Sequence, residues 1–132
     1  MSREQKIAML IGEASKVAHV KEFNTFARNY SGKVGCALLA KNGKVYTGVS
    51  IDLVCGLGNC AEYAAIANMV KDQETVIDMI VAIYDGKGPI SPCGRCRELM
   101  IQVDKRNADA NIVLDDCNVV KLSALLPELW SE

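Results

Sequence analysis

Asn59-Cys60-Ala61-Glu62-Tyr63-Ala64-Ala65-Ile66-Ala67-Asn68-Met69-Val70 is the stretch on which the chain turns. Asn59 is a good N-cap, and the alanine-rich run after it reads as a buried helix from Cys60 to Val70. Cys60 and Glu62 then share the first turn. Later in the chain Pro92-Cys93-Gly94-Arg95-Cys96 answers it. Pro92 biases Ser91 towards extended backbone, and a second short helix runs from Cys93 to about Val103. Two helices that each begin at cysteine, with strand-like runs before them, predict a layered α/β domain.

Working outward, Val34-Gly35-Cys36-Ala37-Leu38-Leu39-Ala40 and Lys44-Val45-Tyr46-Thr47-Gly48-Val49-Ser50 flank Lys41-Asn42-Gly43. An Asn-Gly pair between two apolar runs predicts an antiparallel hairpin. Ile51 to Gly58 reads as a glycine-containing loop, and Met79 to Tyr84 as a third strand. Ile112-Val113-Leu114 and Val119 to Leu122 complete the strand set. On the N-terminal side, Ile7, Leu10, Ile11, Ala14, Val17 and Ala18 recur at helical spacing, so residues 4 to about 20 form an amphipathic helix on one sheet face. Asn24 to Gly32 is polar and turn-rich. Leu125 to Trp130 reads as a short helical turn and tail. No linker or repeat interrupts the chain, and residues 1–132 read as one domain.

The chain has 132 residues, 50% of them hydrophobic and 23% charged, with a net charge of −1. This is ordinary globular composition, long enough to bury a core without disulfides. No basic stripe suits nucleic acid, no polybasic run suits a membrane surface, and no apolar run nears the roughly 20 residues that span a bilayer. The expectation is a soluble, cytoplasmic protein. Six cysteines in such a chain are metal ligands, nucleophiles or small buried residues before they are disulfides. Cys36, Cys55 and Cys117 read as buried or loop residues. His19, the single histidine, reads as a helix-end surface residue.

Cys60, Cys93 and Cys96 are the metal-ligand candidates. Three thiolates, an open fourth position and a carboxylate outside the ligand set are what catalytic zinc needs. Helix N-termini favour thiolate over thiol, which suits cysteines in first turns. Glu62 would move protons while water attacks an electron-poor ring carbon bearing an amino group, such as C4 of cytosine. Three thiolates leave one Zn²⁺ site with a net charge of −1, and Arg95 and Arg97 are candidates to compensate it. A structural zinc knot calls for four protein ligands, and a fourth is not apparent at metal-binding spacing. A redox Cys-x-x-Cys would not call for Cys60 and Glu62.

Cys-x-Glu followed by Pro-Cys-x-x-Cys is the arrangement of nucleobase-deaminating zinc enzymes, and the chain resembles the cytidine deaminase superfamily. The likeness is to its small, homotetrameric, three-cysteine branch and runs from Tyr30-Ser31 and Val34 to Leu38 through to Leu125-Leu126-Pro127. Ile90-Ser91-Pro92-Cys93-Gly94-Arg95-Cys96-Arg97-Glu98-Leu99 looks closer to the blasticidin S deaminases. The resemblance implies a three-layer fold with a five-stranded mixed sheet between helices. It also implies zinc on Cys60, Cys93 and Cys96, proton transfer by Glu62, a Ser91 carbonyl facing the leaving amino group, and a homotetramer. The implied substrate is a free cytosine nucleoside. The alternatives are a cytosine-nucleoside antibiotic such as blasticidin S, or a deaminase-like domain that binds without turnover.

Three departures bear on the substrate. Ser50-Ile51-Asp52 stands where cytidine deaminases have an Asn-x-Glu segment for the ribose, so Ser50 and Asp52 are substrate-binding candidates. Tyr63 follows the catalytic Glu where those enzymes have Arg. The Phe of their Tyr-Ser-x-Phe segment is missing around Lys33, and Trp130 is the candidate replacement for stacking on the base. A tail tryptophan covering the sheet or a subunit contact is the competing role for Trp130.

Overall fold

The computed structural model describes residues 1–25 and 27–131. Helix α1 spans Arg3–Val17 and opens on a capping box, with Gln5 N donating to Ser2 Oγ at 3.1 Å and Ser2 N to Gln5 Oε1 at 2.8 Å. Strands β1 (Lys21–Glu22), β2 (Tyr30–Ala40) and β3 (Val45–Asp52) follow, then helix α2 (Ala61–Lys71) and strands β4 (Ile77–Tyr84) and β5 (Gly88–Ile90). Helix α3 (Gly94–Val103), a 3₁₀ helix at Lys105–Asp109, strands β6 (Asn111–Val113) and β7 (Val119–Lys121), and helix α4 (Leu122–Leu125) complete the chain.

The seven strands form one mixed sheet. Strand β2 pairs antiparallel with β3 and β4, β6 joins β4 in parallel, and β7 pairs antiparallel with β6. These are the five strands expected. The two additions are short: β1 pairs with the start of β2 and β5 returns on the end of β4. Residues 24–32 had read as turn, yet Tyr30 and Ser31 already lie in β2, paired with Asp52 and Ile51 ahead of an irregularity before Gly35. The last helical turn comes earlier than expected, at Leu122–Leu125. The hairpin turns at Asn42-Gly43 as read, with Gly43 at φ +85°.

Both faces of the sheet are covered, which is why β2 and β4 read as continuous apolar runs rather than alternating ones. Ala37, Leu39, Met79 and Val81 bury against Ile7, Leu10 and Ala14 of α1. Their neighbours Cys36, Leu38 and Ile80 bury on the other face with Ala65, Ile66 and Met69 of α2 and Met100 of α3. Gly48 lets α2 sit directly on β3: a Cβ there would lie 2.6 Å from Ala64 Cβ and 2.7 Å from Ala61 O. Between the end of α3 and the start of β4, buried Asn107 accepts from Ile77 N at 2.8 Å and donates to Thr75 O at 3.0 Å and Met100 O at 2.9 Å. Among the described residues no helix is long and apolar enough to cross a membrane.

Candidate metal centre and active site

Cys60 and Cys93 are themselves the N-cap residues of α2 and α3. This corrects the expectation that Asn59 caps and Cys60 lies in the first turn. Asn59 instead pairs back with Ile51, donating at 2.8 Å and accepting at 2.9 Å, and so closes the 53–58 loop at its base. That closure delivers Cys60 to the end of β3. The loop makes its bend through left-handed backbone at Cys55 (φ +62°) and Gly56 (φ +68°).

Arg97 fixes the other half. Its Nε donates to Pro92 O at 2.8 Å, Nη2 to Ser91 Oγ at 3.0 Å and Nη1 to Leu125 O at 3.1 Å. The guanidinium therefore braces the Ser91-Pro92 loop against α4. Arg95 lines the cleft and stacks its guanidinium 5.4 Å from the Tyr63 ring centroid.

The sulfurs of Cys60, Cys93 and Cys96 all lie within 4.8 Å of one another. Cys60 Sγ and Cys93 Sγ are 3.7 Å apart. Tetrahedral zinc with bonds of about 2.3 Å sets its sulfurs about 3.8 Å apart, so the donor set fits the ion. Burial pushes the Cys96 thiol far above its ordinary pKa, with the negative charges of Glu62 and Cys60 adding to the effect. At Cys93 burial also opposes ionisation, but the Cys96 N–H, the Cys96 and Cys60 thiols and the Arg95 N–H together outweigh it and the pKa falls. A cation among the three sulfurs removes the penalty that burial places on thiolate. The set suits one zinc per chain.

Glu62 is 5% exposed beside this cluster, and burial raises its carboxyl above the ordinary value. Above it opens a cleft of about 550 Å³, within the range of small-molecule sites. Ser50, Asp52, Ser91, Cys60 and Cys93 line it. Ser50 has a structural bond as well, its Oγ accepting from Val34 N at 3.0 Å across the β2 irregularity. Trp130 is 82% exposed and lies outside the cleft lining, so within one chain it does not supply the stacking surface expected of it. His19 is exposed, as expected.

Arg28, Tyr30, Lys33 and Tyr84 also line the cleft, and sequence reasoning had missed them. The Lys33 ammonium sits 5.6 Å from the ring centroids of both Tyr30 and Tyr84. Tyr30 was visible only as the start of a family-like segment, and nothing local tells that the ends of β2 and β4 meet over the site.

Residues 11–109 match the model of the cytidine and deoxycytidylate deaminase zinc-binding region. The chain belongs to this family. It is 35% identical over 100 residues to the cytidine deaminase of Halalkalibacterium halodurans, an alignment covering 72% of this chain and 74% of the relative. The crystal structure of cytidine deaminase from Mycobacterium tuberculosis superposes with a TM-score of 0.78 at 25% identity, covering 95% of this chain and 97% of that one. That of Burkholderia pseudomallei cytidine deaminase gives 0.73 at 30% identity, covering 98% and 100%.

Proposed function

We propose that this member of the deaminase family hydrolyses the amino group of a free cytosine nucleoside, giving the uracil form and ammonia. The observation that carries the reading is the convergence of three thiols on a buried, non-ligand carboxylate at the floor of a nucleoside-sized cleft. Cys60, Cys93 and Cys96 are proposed to hold the zinc, which when bound supplies the Lewis acidity that activates water at neutral pH. Glu62 takes the proton of the attacking water and delivers it to N3 of the ring as the C4–O bond forms. It then takes the proton of the new C4 hydroxyl and passes it to the amino group, so that the C4 carbonyl forms as the C4–N bond breaks and ammonia leaves. A raised pKa suits a carboxyl that must hold a proton between these steps.

Ser91, at the cleft wall, is proposed to offer its carbonyl to the amino group, and Asp52 to accept from sugar hydroxyls. Arg95 and the N–H groups at the start of α3 are proposed to offset the thiolate charge. The chain is further proposed to act as a homotetramer in a reducing compartment. Exposed Val54, Leu57 and Trp130 support the assembly, and three ligand thiols that must stay reduced support the compartment.

The test is ammonia release by the zinc-loaded protein from cytidine, deoxycytidine, cytosine, blasticidin S and unrelated aminated rings. Turnover of a cytosine nucleoside is expected. In Glu62→Gln, with zinc content unchanged, kcat should fall by about 10²- to 10⁴-fold. A zinc-loaded Glu62→Gln that keeps most of its activity would remove Glu62 from the mechanism.

A further inference from the structure

Residues 91–93 link β5 to α3, and Ser91 and Cys93 line the cleft. Arg97, one turn into α3, does not line it and stands behind that wall. Pro92 fixes its own φ and confines Ser91 to extended backbone. The direction of the Ser91 carbonyl then depends on the few rotations left around the Ser91-Pro92 peptide. Arg97 grips that peptide from both sides, Nη2 donating to Ser91 Oγ at 3.0 Å and Nε to Pro92 O at 2.8 Å. Among the described residues no other side chain outside the thiol cluster hydrogen-bonds to residues 91–93.

The third arm of the guanidinium supplies a fixed point. Nη1 donates at 3.1 Å to the carbonyl of Leu125, which ends α4, and Leu122 of α4 is fully buried in the core. All three acceptors are uncharged, so the contact draws on the planar spacing of the fork more than on its charge. An ammonium offers its donors from a single atom and cannot span these three points.

We infer that Arg97 is a positioning residue of the reaction: by clamping the Ser91-Pro92 peptide it aims the Ser91 carbonyl at the amino group that leaves. This rests on the reading of the cleft as a deaminase site. The amino group gains a proton as the C4–N bond breaks, so its donation to a fixed carbonyl strengthens on the way to the transition state. Loss of the clamp therefore lowers kcat more than it raises KM.

The experiment compares the zinc-loaded parent with Arg97→Lys, which keeps the charge and loses the fork. Zinc content is measured, with kcat and KM for whichever cytosine nucleoside the parent turns over. The Kd of the matching pyrimidin-2-one nucleoside, which carries hydrogen in place of the amino group, is measured alongside. In Arg97→Lys kcat should fall about 10- to 100-fold while KM stays within about twofold. Zinc content should be unchanged, and the amino-free nucleoside should bind both proteins alike. Weaker binding of that nucleoside in proportion to the lost kcat would mark a general loss of structure and overturn the inference. An Arg97→Lys that keeps the parent kcat would leave Arg97 acting by charge and overturn it too. If Arg97→Lys does not fold, Ser91→Ala removes one of the gripped atoms and should lower kcat about threefold or more with the same Kd unchanged. An unchanged kcat there overturns the inference. A parent that turns over no cytosine nucleoside defeats the deaminase reading and this one with it. Turnover by the parent beside an equally active Arg97→Lys defeats this one alone.

Discussion

At the scale of single residues, polar side chains in this molecule hold geometry through several bonds at once. Asp104 shows it most fully. Its carboxylate accepts from Arg106 Nε at 3.0 Å and Nη2 at 2.8 Å, from Arg106 N at 2.9 Å and from Thr75 Oγ1 at 2.7 Å. The Arg106 side chain is the largest cause, and together these donors hold the Asp104 carboxyl well below the usual carboxylate range. A depressed folded-state pKa contributes stability above the unfolded value of about 4, lost as pH falls through the lower folded value. Asp104→Asn should therefore be less stable than the parent by about 1 kcal/mol at pH 6, after allowing for the solvent screening around Arg106. The gap should narrow as pH drops below about 4. Urea midpoints measured from pH 6 down to pH 3 check this. A gap that stays constant would mean that Asp104 acts through packing alone.

Elements carry the site, and two positions decide whether they carry it correctly. Gly48 sets how closely α2 approaches β3, and Cys60 and Glu62 ride on the start of that helix. Gly48→Val should push α2 outward, cost about 1–3 kcal/mol and weaken zinc binding at least about tenfold. Competition with a chromophoric chelator reads the second effect separately from the first. Asn107, fully buried, joins the end of α3 to the start of β4. Asn107→Ala removes the side-chain partner of Ile77 N, Thr75 O and Met100 O, the last keeping only Asp104 N at 3.4 Å, and should cost about 2–4 kcal/mol by denaturant unfolding. Neither role was legible beforehand. Sequence periodicity shows which faces are apolar, so α1, β2, β3, α2, β4 and α3 were found within a few residues. It does not show how near two faces come, nor that a polar residue in a short connection is buried. For the same reason the thiols and Glu62 were legible, being fixed by spacing within two helix starts. Lys33, Tyr30 and Tyr84 were not, because they meet only when β2 and β4 pair. Arg97 was legible as a cation, but its bond to Leu125 O, far along the chain, was not.

For the whole molecule, two groups stand out among the exposed large apolar side chains. Ile51, Val54 and Leu57 lie in or beside the loop before Cys60, and Leu129 and Trp130 lie near the last described residue. The proposed homotetramer predicts four times the 14.3 kDa chain mass in sedimentation equilibrium. Leu57→Asp paired with Trp130→Ser should shift it towards smaller species, and a monomeric parent protein would refute the assembly. The strand pairing has a further consequence, in the order of events as the chain is made. Strand β2 is completed by β4, and α1 buries its apolar face against both, so the first half of the chain has no finished core until residue 84 is free to fold. Pairing across such a separation is slow compared with local contacts, and synthesis adds only about 5–20 residues each second. Cys60 emerges early and stays without its two partner thiols through that interval, because Cys93 and Cys96 come after β4 and β5. The three-thiol set is thus complete only once β2 to β5 have been made, with β6 and β7 still to be added to the sheet.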